Sequence, residues 1–185
     1  MIVKTAIRAI SILKFEKNTY KEISLDQSSI YGSGIIIILS SLANTSIFKI
    51  FVQPSVPLEI PFHYLFITWI LFNWIVLPLI IVFIIKTFNE HTLKFTNKNL
   101  VAISFIGYSN TAEILKLLVI LFPNFIVFIS WSALMLVLAS QALGVKQIYN
   151  IKSMASAIGV IIASYFILFF SIILIFVLFS RLGNF

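Results

Sequence analysis

A chain of 185 residues that is 61% hydrophobic, only 10% charged and has a mean hydropathy of +1.10 lies outside the range of soluble domains and reads as an all-α integral membrane protein. It contains no cysteine, so disulfides, thiolate metal ligands, iron–sulfur clusters and a Cys nucleophile are excluded together. The net charge of +7 does not indicate nucleic acid, because the basic residues are spread over loops rather than gathered on one face.

Residues 1–29 form a basic N-terminal segment. In MIVKTAIRAISILKF, helical spacing puts Val3, Ala6, Ile7, Ile10 and Leu13 on one face and Lys4, Arg8 and Ser11 opposite. The pattern predicts an amphipathic interfacial helix on anionic lipid, or a solvated helix packed on the rest of the protein. Lys4, Arg8 and Lys14 interrupt it too early for a secretory signal, so the mature chain is expected to begin near Met1. Residues 16–29 read as polar, with Asp26, Ser28 and Ser29 available to cap the helix that follows.

A hydrocarbon core about 30 Å thick takes roughly 20 mostly apolar residues per helix. Five segments qualify, at residues 30–52, 62–88, 100–122, 125–144 and 154–180, giving a bundle of five transmembrane helices over 30–180. Pro54, Pro57 and Pro61 predict an extended first connector, and Pro78 a kink in the second span. Thr96 or Asn97 is placed to cap the third span, and Pro123 and Asn124 to turn into the fourth, which is expected to end at about Gly144.

Charge sets the expected orientation. With the N-terminus cytoplasmic, the inner segments hold Lys4, Arg8, Lys14, Lys17, Lys21, Lys86, Lys94, Lys98, Lys146 and Lys152, and only Lys49, Lys116 and Arg181 of the 13 basic residues lie toward the other side. That asymmetry follows the positive-inside rule and puts the C-terminus outside, across the plasma membrane if the source is prokaryotic.

Helices in lipid associate through close backbone approach. Ala155, Gly159 and Ala163 recur every four residues in the fifth span and predict a packing face, internal or for a second copy. Trp69, Trp74 and Trp131 fall inside spans and are expected to pack in the interior.

Catalytic and cofactor signals are lacking. His63 and His91 flank opposite ends of the second span, so a shared haem or metal site is not expected. Gly32–Gly34 (GSG) lacks the rest of a phosphate loop and reads as flexibility at a helix start. The Asn44 sequon lies within a span, out of reach of glycosylation, and no motif sets a serine beside Lys116 as a dyad. Neither an enzyme nor a bound cofactor is expected.

The third span carries the one polar stripe at depth. Helical spacing aligns Ser109, Asn110, Glu113 and Lys116, and an ionised carboxylate in mid-bilayer costs about 2.5–3.5 kcal/mol even on the mildest insertion scale. Glu113 therefore calls for a partner or a proton. One reading is a substrate or proton site. The other is structural, a Glu113–Lys116 pair with Asn110 as interhelical glue and Lys116 snorkelling outward. Asn44, Thr45, Asn73 and Gln141 are the neutral partners within reach of other spans.

From about residue 30 to 178 the chain resembles the Yip domain, the five-span family of Ypt-interacting membrane proteins. The likeness is carried by NKNLVAISFIGYSNTAEILKLL, where Gly107 and Tyr108 match the family's Gly-Tyr pair, and by WSALMLVLASQALGVKQIYNIKSMASA, similar to its fourth span, inner loop and fifth-span start. Ala112 stands where many members carry proline, and the N-terminal segment is shorter than in eukaryotic members, as in compact prokaryotic ones. The resemblance implies a non-enzymatic scaffold or adaptor that binds a membrane protein partner, a second copy or the lipid bilayer; the alternative is a small transporter or permease subunit using Glu113.

Overall fold

The computed structural model describes residues 1–55, 59–88 and 98–182. Helices α1 (Ile2–Leu13) and α2 (Lys17–Leu25) precede five that are long and apolar enough to cross a membrane. These are α3 (Ser29–Ser55), α4 (Phe62–Thr87), α5 (Asn99–Leu121), α6 (Pro123–Ile148) and α7 (Met154–Leu182, its apolar stretch ending at Leu174). No strand occurs among the described residues.

α5 is the axis of the bundle. It packs against α3 and α6 along its length, against α4 and α2 over its first half and against α1 from its first half into its middle, while α7 closes the bundle against α4 and α6. Its span is 61% buried although its mean hydropathy is only 1.3, the lowest of the five. The other four, at 2.0 to 2.6, turn most of their surface outward. With lipid as the solvent, polar side chains belong between helices and apolar ones outside.

The observed spans match the expected ones closely except at the end of α6, which runs past Gly144 to Ile148. Gly144 is an interior contact within the helix: a Cβ there would stand 2.7 Å from the Phe105 ring and 3.1 Å from Tyr20. The chain turns at Asn150, whose φ of 52° is the left-handed conformation that asparagine tolerates.

Residues 16–29 are not merely polar, because α2 forms there and buries Thr19, Tyr20 and Ile23 against α5 and α6. So narrow an apolar stripe leaves no long-period signal in the sequence. Phe15, with φ 57°, makes the turn from α1.

The first connector begins later than expected. Helix persists to Ser55, with Pro54 in a closing 3-10 turn, and Ile60 N–H reaches back to Gln53 Oε1 at 3.4 Å. α4 passes through Pro78 without stopping, and a π-helical turn over Phe72–Val76 stands just before it. Proline has no N–H for the carbonyl four residues earlier, and a wider turn adjusts the ladder locally.

Two packing expectations are narrowed or corrected. Ala155 and Gly159 face outward on α7, Ala163 is half-buried, and a Cβ at Gly159 would meet nothing within 4 Å, so the stripe is not the internal packing face and is left for the second-copy alternative. The inner face of α7 is Ala157, Ile161, Ser164 and Leu168, one helical step round. Of the tryptophans, Trp74 alone turns inward, its ring against Gly34 and its Nε1 donating to Ser33 Oγ at 3.3 Å, whereas Trp69 and Trp131 are exposed on the lipid side. The Thr96, Asn97 and His91 expectations lie outside the described residues.

Candidate functional site

Three consecutive polar side chains in mid-α5 turn back on their own helix. Ser109 Oγ donates to Phe105 O at 2.9 Å, Asn110 Nδ2 to Ile106 O at 2.8 Å and Thr111 Oγ1 to Tyr108 O at 2.6 Å. Such bonds compete with the α-helical ladder. From Asn110 to Leu117 the helix tightens to 3-10 geometry, an unusually long run that needs no proline, with Ala112 inside it. Asn110 is thus not interhelical glue, because its amide hydrogen bond is intrahelical.

In a 3-10 helix residues i and i+3 eclipse. Glu113 and Lys116 accordingly stand in line and form an ion pair. Lys116 does not snorkel: its side chain is 14% exposed, and its ammonium donates to Asn44 Oδ1 of α3 at 2.8 Å. Asn44 Nδ2 in turn donates to Ser40 O at 3.0 Å, so the sequon asparagine is a buried helix-to-helix tie. One positive and one negative charge leave the core neutral, with the desolvation penalty of both offset by pairing and the Asn44 bond.

The opposite flank of α5 is polar as well. Ser140 Oγ of α6 lies 3.4 Å from Ser109 O while bonding Val137 O at 3.0 Å. Next to it Gln141 is fully buried, with neither amide atom in good hydrogen-bond geometry, and the Tyr165 hydroxyl of α7 stands beside it, within electrostatic reach of Glu113.

Gly107 and Tyr108 set how closely α3 and α5 approach. A Cβ at Gly107 would lie 2.5 Å from Ser33 Cβ and 3.1 Å from its carbonyl oxygen. Across the same contact a Cβ at Gly32 would run into the Tyr108 hydroxyl and come within 2.6 Å of Thr5 Oγ1. The GSG of α3 therefore serves close approach and not flexibility.

Beyond Tyr108, at the α1 end of the bundle, Asp26 joins three elements. Its Oδ2 accepts from Lys4 Nζ at 2.6 Å and Arg8 Nη2 at 2.8 Å, and its Oδ1 from Ser28 N–H at 3.0 Å and Ser28 Oγ at 2.6 Å. Bonds from Lys4 first, then from Ser28, with Arg8 contributing less, hold the Asp26 carboxyl well below the usual carboxylate range. Asp26 makes an Asx turn ahead of α3 and pins α1 to it. A cavity of about 350 Å³ opens here, lined by Lys4, Thr5, Arg8, Ser28 and Tyr108 together with Met1.

α1 meets the bundle through Thr5, Arg8, Ala9 and Ile12, while Val3, Ala6, Ile7 and Ile10 face away and are exposed. The amphipathic stripe is thus free to meet lipid, and the polar side is taken up by protein, combining the two readings of this helix.

Glu113 and Lys116 are brought together as expected; Ser109 and Asn110 stay on their own helix; Gly107 and Tyr108 form the α3–α5 contact; Ala155, Gly159 and Ala163 take no part. Sequence reasoning missed the Lys4–Arg8–Asp26 staple, although Asp26 is the only aspartate in the chain and follows the two cations of the N-terminal helix. Among the described residues no cluster of His, Asp and Glu could hold a metal, and the His63 ring packs on Tyr64 at 4.4 Å. No family model, curated protein or solved structure matches the chain.

Proposed function

We propose that this chain is a non-enzymatic membrane scaffold or adaptor of the Yip type, with the N-terminus cytoplasmic and the C-terminus outside. It would present α1, α2 and the basic inner loops to protein partners or anionic lipid. The observation that carries this reading is the closed ion pair: Glu113 is met by Lys116, and Lys116 by Asn44, so the one ionisable group pair at depth ties α5 to α3. A stripe engaged in this way is a packing core, and the surface left for interaction is the α1 end and the outward faces of the bundle. Crosslinking in native membranes tests it: a reproducible protein partner or a homo-oligomer is expected, and a monomer without neighbours would sink the scaffold.

One observation favours a small transporter or permease subunit as the second reading. Gln141 holds its buried amide without a well-formed hydrogen bond next to Tyr165 and Glu113, an arrangement a passing proton or polar solute could use. Proteoliposome flux separates the two. Flux from the wild type that Glu113→Gln abolishes would install the transporter, and no flux from the wild type removes it as a lone carrier.

A further inference from the structure

The cavity at the α1 end has an unusual electrostatic makeup. Lys4 and Arg8 bring two positive charges to it and Asp26 one negative, leaving a net +1 beside the hydroxyls of Thr5, Ser28 and Tyr108. Arg8 is 5% exposed, yet of its nitrogens only Nη2 has an acceptor among the described residues, and its buried Nε has none. An arginine left so underbonded in a protein interior is rare, because each buried N–H without an acceptor costs its desolvation. The Tyr108 hydroxyl likewise has no protein partner among the described residues, and the missing side chain at Gly32 is what leaves room for it.

We propose that this cavity binds the phosphate of an anionic lipid headgroup. The donor set of a guanidinium, an ammonium and the Tyr108 hydroxyl is the chemistry that recognises phosphate oxygens, the Thr5 and Ser28 hydroxyls already donating to Met1 O and Asp26 Oδ1. The cavity volume of about 350 Å³ is ample for such a group. Asp26 is the carboxylate at its rim, and it already holds Lys4 and Arg8 in place, so the incoming anion meets oriented cations. The surroundings select a lipid over a free anion: α1 exposes Ile2, Val3, Ile7 and Ile10 on the faces turned away from the bundle, and Tyr31 is exposed on the first turns of α3, so this end of the bundle carries an apolar border. Acyl chains can lie against this apolar border while the headgroup enters between Lys4 and Tyr108. The site rests on the reading of α1 as a membrane-surface helix, and it does not depend on a protein partner.

The full chain in phosphatidylcholine nanodiscs doped with phosphatidic acid provides the test, with retained lipid read by native mass spectrometry. The wild type retains phosphatidic acid over phosphatidylcholine. Lys4→Gln, at a side chain 62% exposed and with the Arg8–Asp26 pair left to hold α1, lowers that retention about five-fold. Tyr108→Phe lowers it about three-fold by removing one hydroxyl, and Lys152→Gln, at an exposed lysine away from the cavity, leaves it unchanged. Equal losses in Lys4→Gln and Lys152→Gln would reduce the effect to general surface attraction and overturn the site. Unchanged retention in both cavity variants would overturn it too. Displacement of the lipid by millimolar inorganic phosphate would reassign the cavity to a soluble phosphate and overturn the lipid assignment. Because the isolated chain is used, this result stands or falls separately from the crosslinking result.

Discussion

α5 and α7 are both membrane-spanning helices, and they are built on opposite plans. α5 has a mean hydropathy of 1.3 and a span 61% buried; α7 has 2.6 and 22%. In water the more apolar helix would be the more enclosed. Here the order is inverted, because lipid solvates Phe, Ile and Leu as well as a protein interior does, while Ser109, Glu113 and Lys116 find their partners only within the protein, on α5 itself or, for Lys116, on α3. Low hydropathy in a span is therefore a marker of the bundle axis.

The contrast can be broken most severely at Lys116. Lys116→Leu leaves the Glu113 carboxylate unpaired between helices and should destabilise the bundle by about 3 kcal/mol or more, read by denaturant titration in bicelles. Adding Glu113→Gln to it should recover most of the loss, since burying a lone charge costs more here than the packing that Lys116 gives up. Full stability of the single variant would show that Glu113 takes up a proton at little cost.

The same substitution on the two helices sharpens the comparison. Gly107→Ala must push Ser33 of α3 away and should cost about 1–3 kcal/mol. Its counterpart on α7, Gly159→Ala, meets open space and should change stability by less than about 0.5 kcal/mol. A large effect at Gly159 would mean that a second copy or a partner covers that face in the membrane.

A smaller effect is expected outside the spans, at α2. The Tyr20 hydroxyl is buried without a partner, so Tyr20→Phe should be neutral or stabilising by up to about 1 kcal/mol. Burial pushes the Tyr20 phenol well above its ordinary range. Folding thus favours the neutral phenol, a contribution fully present below about pH 10 and lost as pH rises toward the folded value. Tyr149 is shifted the same way by its burial, so the variant should weaken the alkaline transition of α2 docking and not abolish it.

Pattern reading found the five spans within a few residues because runs of Ile, Leu and Phe of bilayer length are a signal that needs no partner. It also paired Glu113 with Lys116, since one helical turn separates them under any nearby geometry. It ended the fourth span too early, at Gly144, which lies inside the helix as a contact for Phe105 and Tyr20, and it failed at Lys116, drawn inward by an asparagine 72 residues earlier. At α7 it left two uses open for Ala155, Gly159 and Ala163, and the bundle does not take the internal one.

The sequence alone determined that this is a five-span membrane helical protein with one polar span, a conclusion drawn from composition and segment length, which are local quantities. Only the tertiary structure decided that the polar span is the axis, that Asp26 pins α1 to α3, and that Arg8 and Tyr108 share a cavity. Each of those rests on contacts between residues far apart in the chain, and whether a side chain meets lipid or protein is set by which helices stand beside it.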